Sequence, residues 1–246
     1  MTPVGQYDRR IAEIYDLMYP DALGDIDDFC AFVRDRVKGD RVLEYAVGTG
    51  RLALPLSRAG LHVTGTDISD DMLAMLAAQN ANGAVTAVNN DFIHDRLEGT
   101  FDAVLLMINT LFVARTLDEQ IQVFQNAATN LTDDGFFLVE TFNPSVYHAQ
   151  VSSKLEMRNL DAGRVMFDQY SIEPISQLMF SQHTVLEGGT PFSFTHLLHY
   201  MFPLEIDAVA RNAGLHLAER VSHWSGVPYT GASLRCLSVY RKLPRP

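Results

Sequence analysis

Short apolar segments alternate with segments of helical periodicity over residues 41–142, and this alternation restricts the possible folds more than any other feature. Nearly continuous apolar character is typical of strands that are covered on both faces. Successive strand, helix and strand units form right-handed crossovers in a parallel sheet. The sequence therefore predicts an α/β fold with a doubly wound, mostly parallel, Rossmann-like sheet. The predicted strands are residues 41–46, 62–67, 84–88, 101–108 and 135–142, and the predicted helices between them are 50–59, 69–80 and 117–131.

The pattern changes between residues 151 and 202, where four strand-like runs are separated by turn-forming residues. This segment is predicted to be an antiparallel β insertion that covers the sheet as a lid. A helix at 203–213 and two final strands at 215–223 and 234–241 are expected to complete the sheet. We expect a single domain with an N-terminal helical cap (1–40), a ligand-binding core (41–150), the lid (151–202) and the last helix and strands (203–246).

Charge and hydropathy exclude several classes of partner. The net charge of −11 opposes binding to phosphate backbones, so no nucleic acid is expected. No apolar run approaches the 18 residues that span a bilayer, and residues 1–10 lack the apolar run of a signal peptide. We therefore expect a cytoplasmic protein that is not integral to a membrane. The sequence does not indicate an oligomeric state.

A glycine-rich turn follows the first strand and is the first candidate for ligand binding. In Gly48-Thr-Gly50 the missing side chains allow a ligand to approach the backbone at the edge where such sheets bind ligands. A tight turn without a ligand would explain this pair equally well. Asp67 ends the next strand, about 20 residues later, where a carboxylate can accept hydrogen bonds from ribose hydroxyls. Asp91 and Phe92 follow the third strand, so a nucleoside ligand is expected.

Glu44, four residues before Gly48, distinguishes between two kinds of nucleoside. The spacing of the turn also fits a dinucleotide, and hence a nicotinamide-dependent oxidoreductase. An ionised carboxylate at this position would repel a pyrophosphate but would attract a ligand that carries ammonium and sulfonium groups. An ion pair with Arg41 or Arg51 is the structural alternative for Glu44. A binding protein that holds an adenosyl ligand without turnover is a further alternative.

These segments resemble the class I S-adenosylmethionine-dependent methyltransferases. The resemblance is carried by VLEYAVGTGR (42–51), VTGTDISDDML (63–73), NDF (90–92) and FDAVL (101–105). It implies a seven-stranded sheet with an antiparallel last strand, S-adenosylmethionine as cofactor and S-adenosylhomocysteine as product. The cofactor-binding residues that it implies are Tyr15, Tyr19, Glu44, Ala46, Gly48, Gly50, Arg51, Asp67, Ile68, Met72, Asp91, Phe92 and Met107.

Within that family, Tyr15 and Tyr19 are similar to the tyrosine-containing N-terminal helix of members that methylate small molecules. Both also lie on one face of the predicted helix, so ordinary packing of that face would equally explain them. The Asn/Asp-Pro-Pro-aromatic motif of base and glutamine methyltransferases is absent, and Ile108-Asn-Thr-Leu-Phe112 stands in its place. The resemblance therefore favours methylation of an oxygen or nitrogen atom of a small molecule.

Methyl transfer is an in-line displacement, so a general base is required only where the acceptor must lose a proton early. No residue is assigned this role. Tyr15, Asn109 and Tyr200 are predicted to contact the acceptor, although Tyr200 and its neighbouring aromatics would also serve to pack the lid onto the sheet. No metal site is expected, because His196 and His199 fall on opposite faces of a strand and the two cysteines are far apart. The candidates for a base are Asn109, His148, His199 and His223, with His94, His183 and His196 also considered.

Overall fold

Two separate β-sheets organise the part of the chain that the structure, a computed structural model, describes: residues 7–20, 25–148 and 154–242. The strands in these ranges are β1 (Arg41–Tyr45), β2 (His62–Asp67), β3 (Val85–Asn89), β4 (Phe101–Leu106), β5 (Leu131–Phe142), β6 (Lys154–Asn159), β7 (Arg164–Glu173), β8 (Leu178–Glu187), β9 (Thr190–His199), β10 (Leu215–Val221) and β11 (Arg235–Lys242). The helices are α1 (Arg9–Met18), α2 (Ile26–Arg34), α3 (Ala53–Arg58), α4 (Asp70–Gln79), α5 (Leu117–Asn130), α6 (Pro144–His148) and α7 (Pro203–Asn212).

The larger sheet has seven strands in the order β10-β11-β5-β4-β1-β2-β3. Strands β1 to β5 pair in parallel, and β11 is antiparallel to both β5 and β10. The chain moves outward from β1 to β3 and then continues on the other side with β4 and β5. The carboxyl ends of β1 and β4 therefore flank the point where the strand order reverses, which is where such sheets bind ligands. The predicted fold class is confirmed.

Apolar side chains cover both faces of this sheet. On one face, Leu43 and Val104 belong to a buried cluster that also contains Phe124 of α5 and Ile206 of α7. On the other face, Val42 and Leu105 pack with residues of α2 and α3. Successive residues of β1 and of β4 thus point into opposite clusters. Both faces of these strands are buried, which explains their continuously apolar sequences.

The smaller sheet is the predicted lid, an antiparallel meander in the order β6-β7-β8-β9. Helix α1 packs on it through a third apolar cluster, which joins Ile11, Ile14 and Met18 to Met166 and Phe194 of the lid. The N-terminal helix therefore lies between the lid and the ligand edge of the larger sheet.

Some predicted boundaries differ from the structure. The helix predicted from residue 50 begins at Ala53, because Gly48 and Gly50 adopt positive φ angles that do not belong to a helix. A short 3₁₀ turn (Thr110–Val113) and α6 were not predicted. The predicted boundary between core and lid at residues 150–151 lies outside the described residues. In the described ranges, no helix has the length and apolar character needed to cross a membrane.

Candidate active site

The turn after β1 has room for a ligand at one glycine and none at the other. Gly48 has φ +56°, and a Cβ atom built on it would meet nothing within 4 Å. Gly50 has φ +83°, and its Cβ would lie 2.3 Å from Cδ1 of Leu76. The adjacent Ala46 is also left-handed, with φ +52°. Gly50 therefore serves the packing of the turn on α4, whereas Gly48 leaves open space beside the strand ends.

Asp67, at the end of β2, lies against this turn. Its Oδ2 accepts a hydrogen bond of 2.9 Å from the backbone amide of Gly48, and its Oδ1 accepts one of 2.9 Å from Ser69. Burial raises the pKa of Asp67, while these amide donors lower it. The next residue, Ile68, is 67% exposed, and Met72 is buried. An exposed isoleucine beside a buried carboxylate suits a ligand with an apolar ring and hydroxyl groups.

Glu44 and Arg51 each carry a buried polar atom with no hydrogen-bond partner within the described ranges, Oε2 of Glu44 and Nη1 of Arg51. Glu44 is 3% exposed, and its pKa is raised well above the ordinary value by burial and by the charge of Asp67. Arg51 donates from Nη2 to the carbonyl oxygen of Tyr19. Glu44 forms no ion pair with Arg41 or Arg51. A carboxylate oxygen and a guanidinium nitrogen without partners fit a ligand that has both an ammonium and a carboxylate group.

The residues after β3 close a local turn. Oδ1 of Asp91 accepts a hydrogen bond of 2.8 Å from the amide of Ile93, and its Oδ2 lies 3.0 Å from Nδ1 of His94. The ring of Phe92 stacks on Tyr45 with centroids 5.6 Å apart. Asn90 was not predicted as a site residue, yet its Oδ1 is buried without a partner in the described structure. Contacts of Asp91 and Phe92 with a ligand base stay predictions.

Helix α1 is attached to the ligand edge by three contacts. Thr49 donates to Asp16 over 3.0 Å, Ser69 donates to the carbonyl oxygen of Tyr7 over 2.7 Å, and Arg51 reaches the carbonyl oxygen of Tyr19. Burial raises the pKa of the Tyr15 and Tyr19 hydroxyls, so both stay protonated at neutral pH. These contacts bring both predicted tyrosines to the same edge as the glycine turn.

A cavity of about 170 Å³ lies between α1, the ends of the parallel strands and the lid. Asn109, which lines it, adopts φ +62°, and its Oδ1 accepts a hydrogen bond of 2.5 Å from the amide of Phe142. Met107, at the end of β4, is buried and is not among the residues that line the cavity. Those residues are Tyr7, Tyr15, Tyr19, Ile108, Asn109, Thr110, Val113, Phe142, Tyr147, Tyr170, Met179, Ser181, His183, His196 and Leu198.

Tyr200 does not line the cavity, and its predicted contact with the acceptor stays a prediction. Its side chain is fully buried in the cluster that joins lid and sheet, and its hydroxyl lies 2.6 Å from Nε2 of His148. His148, His199 and His223 do not line the cavity either. Sequence reasoning did not select His183 and His196, because the side of the lid that faces the sheet depends on its packing.

Within the described residues, no group of three or more metal-ligating side chains comes together. The sheet order, the glycine turn and the carboxylates beside it define an α/β protein that binds a nucleoside-type ligand at the point where the strand order reverses.

Comparison with known proteins identifies that ligand. Residues 42–135 match a family model described as a methyltransferase domain. The chain is 27% identical to the cypemycin N-terminal methyltransferase of a Streptomyces species, over 98% of this chain and all of that protein. It is 30% identical to the malonyl-[acyl-carrier protein] O-methyltransferase of Bacillus cereus, over 71% of this chain and 67% of that protein.

Among solved structures, the CcbJ methyltransferase from Streptomyces caelestis superposes with a TM-score of 0.83 at 28% identity, over 96% of this chain and 99% of that one. The chain belongs to the class I S-adenosylmethionine-dependent methyltransferases, and S-adenosylmethionine is its cofactor. The alternative of a nicotinamide-dependent oxidoreductase is therefore wrong.

Proposed function

We propose that this chain methylates a nitrogen or oxygen atom of a small molecule that binds in the cavity between the lid and the strand ends. The cavity itself carries the proposal, because it joins Tyr15 and Tyr19 of the cofactor edge to residues of the lid. Among the described residues, its walls contain aromatic rings and hydroxyl groups and no Lys, Arg, Asp or Glu. Such a lining suits a small, partly apolar acceptor better than a polyanion.

In this proposal the cofactor lies along the strand ends. Glu44 binds its ammonium group, Arg51 its carboxylate, Asp67 the ribose hydroxyls, and Ile68 with Met72 the adenine. When bound, S-adenosylmethionine supplies an electrophilic methyl group. The protein aligns the acceptor with that group and excludes water from the cavity, which α1 and the lid cover.

The choice between nitrogen and oxygen stays open in the proposal. By their names, one relative methylates an N-terminus and another is an O-methyltransferase. Aromatic rings bind ammonium groups through their faces, and tyrosine hydroxyls and Asn109 can hydrogen-bond either kind of acceptor. The first experiment should therefore offer a nitrogen and an oxygen acceptor at the same time.

Tyramine is a suitable first probe, because it carries one amine and one phenol on a small aromatic ring. We expect the protein with S-adenosylmethionine to form S-adenosylhomocysteine and a methylated product, and mass spectrometry then identifies the methylated atom. A panel of small amines and phenols extends the test. Absence of any methylated product from protein that binds the cofactor would contradict the proposal.

A pair of variants on β9 tests whether the acceptor occupies this cavity. Leu198 lines the cavity, whereas Leu197 faces away from it. Leu198→Trp should raise KM for the acceptor by roughly 10-fold or more, since overfilling a packed site costs about 1–3 kcal/mol. Leu197→Trp should leave KM unchanged, and both variants should bind S-adenosylhomocysteine normally. Equal KM values in the two variants would place the acceptor elsewhere.

A further inference from the structure

Three polar side chains form a continuous hydrogen-bonded row on the inner face of the lid. Oγ of Ser181 lies 2.9 Å from Nε2 of His183, and Nδ1 of His183 lies 2.5 Å from Oδ1 of Asp168. Each of the three residues is at most 4% exposed. Ser181 and His183 both line the cavity in which we place the acceptor.

Strand pairing fixes this arrangement. Ser181 and His183 are two residues apart on β8, so their side chains leave the strand on the same face. Asp168 on β7 is directly opposite His183 in the register. Arg158 on β6 reaches the far oxygen of Asp168, with 2.9 Å between Nε and Oδ2, and also donates to the carbonyl oxygen of Met18. The row is therefore attached both to the lid and to the end of α1.

The charge on Asp168 determines the direction of these hydrogen bonds. Burial would raise the pKa of Asp168, but the hydrogen bond from His183 and the charge of Arg158 outweigh it and hold the pKa below its ordinary value. In the neutral form of the His183 imidazole, the single ring proton lies on Nδ1 and is donated to the ionised carboxylate. Nε2 of His183 then has a free lone pair, which accepts the hydroxyl proton of Ser181. The oxygen of Ser181 remains able to accept a further proton from the cavity.

A second histidine, His196, lies beside His183 in the cavity. The ring of His196 lies 5.0 Å from that of His183, and burial lowers the pKa of His196 to about 3. His196 is therefore neutral at physiological pH. Tyr7, Tyr15, Tyr19 and Tyr170 are protonated because burial raises the pKa of each. The titratable and charged groups around His183 are Asp168 and Tyr170 of β7, Arg158 of β6, His196 of β9, and Tyr7, Tyr15 and Tyr19 from the N-terminal segment.

We propose that Ser181 and His183 take the proton that the acceptor loses during methylation, with Asp168 as the positioning residue. This inference rests on the function proposed above. The lone pair of the acceptor nitrogen or oxygen forms a bond to the methyl carbon, and the carbon–sulfur bond breaks with its electron pair staying on sulfur. The acceptor proton passes to Oγ of Ser181 as the hydroxyl proton of Ser181 passes to Nε2 of His183. The positive charge ends on the imidazolium beside Asp168.

The same three residue types form the nucleophilic triads of hydrolases, but the lid does not support that chemistry. In a hydrolase, the backbone amide of the nucleophile commonly helps to bind the oxyanion. Strand β8 is paired on both sides, and Ser181 is in register with Tyr170 on β7 and His196 on β9. The backbone amide of Ser181 therefore belongs to the sheet, and we assign the row to proton transfer.

Nitrogen NMR of protein saturated with S-adenosylhomocysteine tests the row without any acceptor. We expect neutral His183 to carry its proton on Nδ1, with that proton shifted far downfield by the short hydrogen bond to Asp168. Asp168→Asn should abolish this signal. A neutral His183 with its proton on Nε2, or an imidazolium that persists to pH 9, would overturn the proposal, because neither form can accept a proton from Ser181.

Kinetics with tyramine test the role in turnover. His183→Gln should lower kcat by roughly 100-fold, as expected for loss of a proton acceptor, and Ser181→Ala should lower it by about 10-fold or more. Both variants should bind S-adenosylhomocysteine with unchanged affinity, which shows that they are folded. Ser193→Ala is the matched control, since Ser193 bonds Thr184 on the opposite face of the lid. Asp168→Asn should shift the acidic limb of the pH–kcat profile.

Unchanged kcat and pH profiles in the Ser181 and His183 variants would overturn the proposal. The function proposed above fails separately, if wild-type protein methylates neither tyramine nor the panel. In that case the position of the proton on His183 decides whether the row can accept a proton.

Discussion

At the scale of single residues, Glu44 has the least favourable environment of the buried carboxylates near the ligand edge when the cofactor is absent. Its Oε2 has no partner, whereas both oxygens of Asp67 accept backbone hydrogen bonds. We predict that Glu44→Gln stabilises the cofactor-free protein by about 1–3 kcal/mol at neutral pH, since it removes an unsatisfied buried charge. Its dissociation constant for S-adenosylmethionine should rise roughly 10- to 100-fold, because a charged hydrogen bond contributes about 1.5–3 kcal/mol.

The pH dependence of the free energy of unfolding tests whether the buried carboxyl of Glu44 causes this effect. Burial raises the folded-state pKa of Glu44 above its unfolded value, so the folded protein keeps the proton to higher pH than the unfolded chain. The penalty from Glu44 is therefore absent below the unfolded pKa, grows as pH rises from the unfolded pKa to the folded pKa, and is constant above it. Urea unfolding should show the advantage of Glu44→Gln growing from about pH 4, near the unfolded value, towards neutrality.

Glu219 provides a control of opposite sign. Its carboxylate pairs with Arg36 over 2.8 Å, and the hydrogen bond from Arg36 holds the pKa of Glu219 below its ordinary value. Glu219→Gln should therefore destabilise the protein at neutral pH, lose this effect in acid and leave cofactor affinity unchanged. Destabilisation by both substitutions would show that Glu44 is satisfied in solution.

The sequence could predict that residues at strand ends lie at one edge of the sheet. Glu44, Gly48 and Asp67 do lie at this edge, since parallel strands end together, and their contacts with the cofactor stay predictions. The orientation of Tyr200, just after β9, and of His183 on β8 could not be predicted, because alternation along a strand separates two faces without showing which one meets the sheet. Packing of α1 on the lid decides that question, and it turns His183 inward.

At the scale of elements, α1 connects the cofactor edge to the lid. Asp16 accepts a hydrogen bond from Thr49 beside Gly48, while Ile14 and Met18 pack against the lid. We predict that S-adenosylhomocysteine slows amide exchange in α1, because the ligand lies beneath it in the proposed site. Asp16→Ala should accelerate exchange in α1 by about fivefold in the free protein, the equivalent of about 1 kcal/mol for one hydrogen bond.

Helix α5 is the internal reference for this measurement. Its capping box, formed by Thr116 and Glu119, and its buried face are remote from Asp16. Exchange in α5 should be the same in wild-type protein and in Asp16→Ala. If the cofactor product slowed exchange equally in α1 and α5, or in neither, α1 would not be a cover of the cofactor site.

Elements with a full hydrophobic period were predictable, and short ones were not. Helix α5 matches its predicted position closely, and the four lid strands fall within the predicted segment 151–202, because caps and turn residues mark their ends. The 3₁₀ turn Thr110–Val113 and α6 span only four and five residues, too few for a helical period. The 3₁₀ turn follows β4, where the left-handed Ile108 and Asn109 redirect the chain, and α6 follows β5.

At the scale of the whole molecule, the acceptor site requires parts that are distant in the sequence. The cavity takes residues from the segment before α1, from the end of β4 and from three strands of the lid. Sequence patterns predicted each of these parts but not their contact, because contact depends on how the lid and α1 pack together. Cofactor binding at the sheet edge and acceptor binding in the cavity are therefore expected to depend on the same helix.

Ligand-dependent unfolding of the whole chain tests the cofactor site directly. A ligand at 100 times its dissociation constant stabilises the folded state by about 2.7 kcal/mol, which for a chain of this size raises Tm by roughly 5–11 °C. S-adenosylmethionine and S-adenosylhomocysteine should each produce this rise, and NAD and NADP should produce none. At the same ligand concentration, Glu44→Gln should retain about half of the rise or less, because its weaker affinity leaves less binding free energy. An undiminished rise in that variant would remove Glu44 from the cofactor site, and a rise with NAD alone would contradict the binding mode proposed for the strand ends.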